Sequence, residues 1–236
     1  TILVKQSTGE RAVFFERSTA TEPEFLDTHK QLIGSAYILH INGRHRQLMR
    51  SAMAVAKEVG TIISLDGGAQ RYDEDMKPIT EASHIVIVAR DYAEKYTGTT
   101  NLKEACRIIH ERGACIAGVT DGANGSYFVW PDGTFYRCEP FTQSTVVDTT
   151  GAGDSFHGAF LANLVYTINH MKGQDTTSTT KHDRASIHAV ELLKACAHSD
   201  LEKAAIFASA VASLNTQGIG GRSPLPTLKS VQELIG

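Results

Sequence analysis

The densest group of residues suited to chemistry is the loop Gly151-Ala152-Gly153-Asp154, which runs directly into an apolar stretch. Its two glycines let the backbone approach a ligand without a Cβ in the way. The apolar stretch predicts a helix over residues 152–168. The amides of the first turn, with the positive end of the helix dipole behind them, favour an anion such as phosphate. The sequence therefore predicts a phosphate-binding loop.

Asp154 puts a negative charge beside this predicted anion site. A carboxylate at this position repels phosphate, so a loop that only binds phosphate would not need it. Two interpretations follow from the residues alone. In the first, the carboxylate only caps the helix, as Asp often does. In the second, it takes a proton from an attacking hydroxyl while the neighbouring amides stabilise a transferring phosphoryl group.

Two more segments have the composition of ligand-binding loops. Residues 120–125, Thr-Asp-Gly-Ala-Asn-Gly, follow a predicted strand, and the two glycines would let backbone amides approach phosphates. Residues 218–224 follow an apolar helix that carries small side chains on most of its turns. Close helix packing explains those small side chains equally well.

Alternating strands and helices are predicted to position these loops. Apolar runs predict strands at residues 36–41, 61–65, 84–89 and 115–120, a hairpin at 126–137, and helices at 45–59, 91–96, 102–112, 152–168, 183–197 and 200–215. Repeated strand–helix units predict a doubly wound, mainly parallel α/β sheet flanked by helices. Polar residues 172–181 predict an exposed loop.

Residues 1–17 form a separate predicted unit, because their alternating apolar residues around a turn predict two short strands. We expect a small, partial β lid there and a single α/β domain over residues 18–236. A doubly wound domain usually opens with its own core strand. The expectation is therefore that a segment preceding residue 1 is missing.

Composition excludes several classes of function. The 236 residues carry a net charge of -3, which disfavours nucleic acid as a partner. The apolar runs are too short or too interrupted to span a bilayer, so no membrane partner is expected. The four cysteines lack metal-ligand spacing, so free thiols in a reducing, cytoplasmic compartment are expected.

Residues 148–160, Asp-Thr-Thr-Gly-Ala-Gly-Asp-Ser-Phe-His-Gly-Ala-Phe, resemble the C-terminal signature of the ribokinase-like (PfkB) carbohydrate kinases. In overall character the chain is similar to the ketohexokinase-like and sulfofructose-kinase-like members. The resemblance implies ATP-dependent phosphorylation of a hydroxyl, expected to be primary, on a small sugar. Asp154 would be the catalytic base, and the amides of residues 151–153 the anion hole.

The resemblance also implies the cofactors and their contacts. ATP and Mg²⁺ are expected, and K⁺ as well, with Asp148 helping to hold the monovalent cation. The residues expected to contact the nucleotide lie in four segments: Thr120, Gly122 and Gly125; Thr150; Ser209; and Gly220 and Gly221.

On the sugar side, the resemblance implies that the β lid closes over the substrate and excludes water. Arg11 would face the substrate, as an Arg does in ketohexokinase-like members, although a surface Arg after a turn is common. Asn42 and Asp66 follow predicted strands at the edge where open α/β sheets bind ligands. Lid strands of relatives often pair across a dimer, so a homodimer is a further expectation.

The resemblance fails at one motif. The Asn-x-x-Glu of many members falls on residues 89–92, Ala-Arg-Asp-Tyr, where both polar groups are missing. Asp91 or Glu94 would replace them only with altered spacing, whereas magnesium arriving as its ATP complex tolerates the loss. Residues 169–199 look like an insertion with no assigned role.

Two alternative functions stay open. A nucleoside or phosphosugar kinase would use the same fold, and Arg11, Arg44 and Arg90 are candidate contacts for a second phosphate. A non-catalytic nucleotide- or sugar-binding regulator would explain the degenerate motif, but it would not need Asp154.

Overall fold

The computed structural model describes residues 1–5, 7, 11–14, 19–143, 145–174 and 189–236. Their strands are β1 (Ile2–Val4), β2 (Arg11–Val13), β3 (Ile38–Ile41), β4 (Ile62–Gly67), β5 (Ile85–Ala89), β6 (Ile116–Thr120), β7 (Ser126–Val129) and β8 (Phe135–Cys138). Their α-helices are α1 (Asp27–Ser35), α2 (Arg46–Val59), α3 (Lys77–Glu81), α4 (Arg90–Thr97), α5 (Leu102–Glu111), α6 (Ala152–Gln174), α7 (Ala189–Lys194), α8 (His198–Asn215) and α9 (Leu228–Ile235).

The described strands form two sheets. β1 and β2 pair as an antiparallel hairpin, and the other strands form a six-stranded sheet in the order β3-β4-β5-β6-β7-β8. The first four strands of this larger sheet are parallel, and β7 and β8 continue it antiparallel. Because β3 to β6 run in one direction, their carboxyl ends lie at a single edge. This is the edge at which open α/β sheets bind ligands.

Helices cover both faces of the larger sheet. Helices α1 to α5 pack on one face over side chains such as Ile63, Val86 and Val119. Helices α6 to α8 pack on the opposite face over Ile62, Ile85 and Ile116. Neighbouring residues of one strand thus belong to different cores, since successive side chains of a strand point to opposite faces. Burial on both faces explains the nearly continuous apolar strands.

Local signals set where several helices begin and end. Asn101 precedes α5, and its side chain accepts a hydrogen bond from the backbone N–H of Glu104 at 3.2 Å. Thr227 does the same for α9 through the N–H of Ser230. Such N-caps satisfy amides that have no partner inside the helix. Helix α4 ends at Gly98, which adopts the left-handed conformation.

Helix α6 is fixed to the sheet by an aromatic cluster. Phe160 is fully buried, and its ring stacks on that of Phe128 of β7 at a centroid distance of 5.7 Å. The Phe128 ring also stacks on that of Trp130 at 4.9 Å and lies 6.4 Å from that of Phe156. These contacts bury large apolar areas, so they hold the start of α6 against the sheet.

The predicted fold class is confirmed: the sheet is mostly parallel and has helices on both faces. Several predicted boundaries differ from the structure, and two of the differences lie near the cavity. Helix α6 runs to Gln174 rather than ending at residue 168, and β4 includes Asp66 and Gly67. Three helices, α1, α3 and α9, were not expected, because each is short or carries few apolar residues.

The region after α6 is described only in part. Residues 175–188 lie outside the described residues, and with them most of the predicted polar loop at 172–181 and the first part of the predicted helix at 183–197. Helix α7 (Ala189–Lys194) covers the second part of that predicted helix. Among the described helices, none is long and apolar enough to cross a lipid bilayer.

The free energy of unfolding is expected to depend strongly on the cluster beneath α6. Replacing Phe160 by Ala removes a fully buried ring and leaves a cavity, so the variant should lose about 3–5 kcal/mol. Chemical denaturation measures this loss. The control is Tyr166→Ala on the same helix, whose side chain is 64% exposed and should matter by less than about 0.5 kcal/mol. Equal losses in both variants would contradict the assignment of this core.

Candidate active site

A cavity of about 400 Å³ opens at the carboxyl edge of the sheet. One wall is the loop after β6, with Thr120, Gly122 and Gly125. Another wall is the start of α6, with Ala152 and Gly153. The cavity therefore lies between two of the loops that the sequence singled out as ligand-binding.

One face of α8 forms the third wall of this cavity. Ser209, Ala212, Ser213 and Thr216 line it, and their spacing of three, one and three residues places them on one side of a helix. All four side chains are small, so they leave room beside the helix. Ser209, which was predicted as a nucleotide contact, lies on this wall, and its hydroxyl donates to the backbone carbonyl of Glu139 at 3.4 Å.

The fourth wall was not predicted from the sequence. It is the segment between β8 and the signature, including Pro140, Phe141 and Gln143. Gln143 is fixed from both sides, because its amide nitrogen donates to Ser213 Oγ at 2.9 Å and its oxygen accepts from Gln217 Nε2 at 2.8 Å. An irregular segment of this kind has no periodicity, so only its position next to the signature could have indicated a role.

Asp148 connects the signature loop to the loop after α8. The residue is 3% exposed. Its Oδ1 accepts a hydrogen bond from the backbone N–H of Thr150 at 2.8 Å, and its Oδ2 accepts from that of Gly220 at 2.9 Å. The backbone carbonyl of Thr216 accepts from the N–H of Asp148 itself at 3.2 Å. Bonds to an ionised acceptor are among the stronger hydrogen bonds in proteins.

The same two loops also touch through glycines. Gly151 has a left-handed φ of +79°, and a Cβ at this position would lie 2.5 Å from the Cα of Gly221. No side chain fits in that space, so both the conformation and the contact require glycine. Thr150, Gly220 and Gly221, predicted as nucleotide contacts, thus lie behind the cavity wall as its support.

Asp154 lies in the first turn of α6, next to the cavity-lining Gly153. Its side chain is exposed. The first intrahelical hydrogen bond runs from the N–H of Ser155 to the carbonyl of Gly151 at 2.8 Å. The amides of Gly153 and Asp154 precede this bond, and amides at such positions are the ones that a helix offers to an anion.

A buried polar cluster lies on the sheet side of this first turn. Asp66, at the end of β4, has one carboxylate oxygen 3.3 Å from His157 Nε2 of α6 and the other 3.6 Å from Arg71 Nη1. Burial alone would raise the pKa of Asp66. The hydrogen bond from His157 and the positive charges near the carboxylate outweigh burial, so the pKa lies below its ordinary value. Asp66 is therefore ionised at neutral pH.

His40 of β3 and Asn42, which directly follows β3, complete the cluster. His40 Nδ1 lies 3.2 Å from Ser64 Oγ, and the His40 ring is 5.4 Å from that of His157. Desolvation lowers the pKa of His40, His157 lowers it further, and the charges of Asp66 and Asp154 only partly oppose these effects. The predicted substrate contact Asn42 directs its backbone carbonyl to Arg71 Nη1 at 3.2 Å.

Arg90 lies within the segment that aligns with the missing Asn-x-x-Glu motif. Its guanidinium contacts Asp121 Oδ2 at 3.1 Å and Glu94 Oε1 at 2.8 Å. Asp91, the other candidate substitute, accepts a hydrogen bond from the N–H of Gln70. Within the described residues, no group of three or more His, Cys, Asp or Glu side chains could hold a metal ion.

The predicted role of Arg11 stays a prediction. Its backbone belongs to β2 and pairs with Val4, but its side chain lies outside the described residues.

Comparisons with known proteins agree with this arrangement. Residues 1–228 match the family described as pfkB family carbohydrate kinase. A probable fructokinase-5 from Arabidopsis thaliana is 26% identical over 245 residues, which cover 96% of this chain and 67% of the plant protein. The chain spans 29% of the length of another curated relative.

Two solved structures share the fold. A ribokinase from Thermotoga maritima superposes with a TM-score of 0.66 and 20% identity, over 99% of this chain and 68% of the other. A fructokinase from Vibrio cholerae O395, described as bound to fructose, ADP and a calcium ion, superposes with a TM-score of 0.63 and 20% identity. The match covers 85% of this chain and 61% of the fructokinase. The chain thus spans about two thirds of their lengths.

The glycine contact behind the cavity is expected to be essential for nucleotide binding. Gly151→Ala forces a left-handed backbone on a residue with a Cβ and pushes the two loops apart. The affinity for ATP, measured by calorimetric titration, should fall at least about tenfold, which is ~1.4 kcal/mol. Gly158→Ala on the same helix is the control, because its Cβ would enter open space. Unchanged ATP affinity in Gly151→Ala would contradict the proposed support role.

Proposed function

The chain belongs to the pfkB family of carbohydrate kinases, and on that premise we propose that it phosphorylates a primary hydroxyl of a small sugar with ATP. The observation that carries the proposal is the position of Asp154. It directly follows Gly153, which lines the cavity, and its charge acts on His40 near the carboxyl end of the edge strand β3. A carboxylate there stands between a site for a phosphoryl donor and a site for an acceptor.

We propose that ATP binds in the cavity of about 400 Å³ between the loop after β6 and α8. The small side chains of α8 leave space for a flat base, and Gly122 and Gly125 leave backbone amides accessible to phosphates. The terminal phosphoryl group would then lie at the start of α6. The ADP named for the Vibrio cholerae fructokinase supports a nucleotide in this fold.

The chemical step follows from the groups at the start of α6. The oxygen of the acceptor hydroxyl attacks the terminal phosphorus of ATP while Asp154 accepts the proton of that hydroxyl. ADP leaves on the opposite side of the phosphorus. The free amides of Gly153 and Asp154 donate to the oxygens of the transferring phosphoryl group, where negative charge accumulates. The Ala152 amide of the predicted anion hole, in contrast, already donates to the carbonyl of Thr149 at 3.3 Å. Phosphoryl transfer depends mainly on such positioning and charge stabilisation, so a site built from backbone amides suffices.

Magnesium fits this site only as a partner of ATP. The described residues offer no carboxylate cluster for it, and Ala89 and Tyr92 stand where many relatives carry the Asn and Glu of the missing motif. Mg²⁺ commonly binds through substrate phosphates and water, with little help from the protein. Bound in that way, it would neutralise charge on the phosphates during transfer.

A monovalent cation fits better, and we place K⁺ beside Asp148. Thr150 Oγ1 and Asn215 Oδ1 are buried and have no hydrogen-bond partner in the described part of the chain. They lie close together, since Asn215 Nδ2 donates to the carbonyl of Thr150 at 3.2 Å. Leaving two buried oxygens unsatisfied costs about 1–3 kcal/mol each. A cation with oxygen ligands would satisfy them.

The hairpin β1–β2 is proposed as the lid over the sugar and as a dimer contact. Ile2, Leu3 and Phe14 on it are between 47% and 58% exposed, although each is a large apolar side chain. Several exposed apolar side chains on one small hairpin fit a surface that closes over a substrate or pairs with another subunit.

Asp154→Asn tests the catalytic assignment. The variant keeps the shape of the side chain but cannot accept the proton, so kcat should fall by roughly 10²–10⁴-fold while ATP affinity is retained. The assay is ADP release by the full-length protein over a panel of ketoses, aldoses, sugar acids and nucleosides. The matched control is Asp200→Asn, since Asp200 also lies in the first turn of a helix. Turnover that persists in Asp154→Asn would refute the assignment.

Asp148 tests the cation proposal. ATP should bind more tightly in KCl than in tetramethylammonium chloride of equal ionic strength, because only K⁺ can enter the site. Asp148→Asn removes the charge that attracts the cation, so this difference should disappear in a variant that still unfolds cooperatively. Equal ATP affinity of the unaltered protein in both salts would show that Asp148 has a purely structural role.

A further inference from the structure

One buried contact joins the helix that carries Asp154 to the central sheet. His157 of α6 lies 3.3 Å from Asp66 of β4, measured from Nε2 to Oδ1, and the two side chains are only 5% and 11% exposed. Because an ionised carboxylate can only accept hydrogen bonds, His157 must donate through Nε2. The direction of this bond is therefore fixed by the residue types.

The acceptor of this bond is itself held in place. The second oxygen of Asp66 faces Arg71 Nη1 at 3.6 Å, and the same nitrogen donates to the carbonyl of Asn42 at 3.2 Å. The carboxylate is thus held by its own strand, by Arg71 and, through Arg71, by the end of β3. His157 contacts a rigid partner rather than a mobile surface group.

The spacing along α6 couples this contact to the proposed base. His157 follows Asp154 by three residues, so the two side chains project within about 60° of each other around the helix axis. A rotation of the helix that moves His157 away from Asp66 also displaces Asp154. The aromatic contacts of Phe156 and Phe160 press the helix against the sheet, but apolar contacts have little directional preference.

We propose that His157, through its hydrogen bond to Asp66, fixes the rotation of the first turn of α6 and so positions Asp154 for proton abstraction. The inference rests on the proposed function. A general base must lie within about 2.6–3.2 Å of the oxygen from which it takes the proton. A misplacement of about 1 Å at a reacting group can cost roughly 10²-fold in rate.

His157 acts in this scheme as a positioning residue and does not itself touch the reactants. Its Nε2 is occupied by Asp66, and its Nδ1 is buried without a hydrogen-bond partner in the described part of the chain. The ring of His40 covers it from β3 at 5.4 Å between centroids. A substrate hydroxyl therefore has no path to either nitrogen.

A pair of amide substitutions separates this role from general packing. The side-chain nitrogen of Gln lies about as far from the backbone as Nε2 of His, so His157→Gln can still donate a hydrogen bond to Asp66. Asn is shorter and places its nitrogen near the position of Nδ1, so His157→Asn cannot. Both replacements are polar and uncharged, and they differ mainly in reach. The control is His170→Asn, an exposed histidine farther along the same helix.

The measurement is kcat with the fastest acceptor of the sugar and nucleoside panel, together with the calorimetric affinity for ATP. His157→Asn should lower kcat by roughly 10²-fold at unchanged ATP affinity, whereas His157→Gln and His170→Asn should retain most of kcat. In an Asp154→Asn background, His157→Asn should have no further effect, because the group that it positions is gone.

The outcomes distinguish the two proposals. If no acceptor gives turnover, or if Asp154→Asn is active, the proposed function fails and the inference falls with it. If Asp154→Asn is inactive but His157→Asn has the kcat of the unaltered protein, only the positioning role is refuted. Equal loss in the Gln and Asn variants also refutes it. Should His157→Asn fail to fold, Asp66→Ala, which removes the acceptor of the bond, replaces it, and a normal kcat in that folded variant overturns the proposal.

Discussion

The carboxylate of Asp148 holds together two backbone segments beside the proposed nucleotide cavity. One of its oxygens binds the amide of Thr150 before α6, and the other binds the amide of Gly220 after α8. The close contact of Gly151 with Gly221 lies beside these bonds. Because the carboxylate is 3% exposed, water competes little for its bonds. The start of α6, and with it the anion-binding amides, is therefore set by a loop far away in sequence.

In the proposed mechanism, helix α6 carries that local constraint to the reacting groups. Its first turn carries the free amides and Asp154, its next residues pack on Phe128, and His157 reaches the end of β4. A proton acceptor on a helix anchored from two sides keeps its orientation better than one on an irregular loop. The sheet contributes by ending four parallel strands at a single edge, where the proposed donor and acceptor sites lie.

Much of the fold was predictable because its signals are local. The apolar runs of β4 to β6 are buried on both faces and gave strands within one or two residues of the observed ones. The loop before α6 was recognisable from its glycines and from a family resemblance. The wall formed by Gln143 and the pairing of Asp66 with His157 were not predictable, since both depend on contacts between residues about 70 or more positions apart. Helix α1 was not predicted from the sequence. Only its Ile33 side chain is buried, so the helix has no clear apolar periodicity.

Because of the Arg90–Asp121 pair, the proposed nucleotide loop responds to ionic strength differently from the rest of the site. Asp121 precedes Gly122, and it is held by Arg90 at 3.1 Å and by Asn124 Nδ2 at 3.1 Å. The Arg90 side chain is 47% exposed, so dissolved ions screen its attraction for Asp121, whereas the buried bonds of Asp148 are shielded from them. Ionic strength would therefore loosen one wall of the cavity while leaving the opposite wall unchanged.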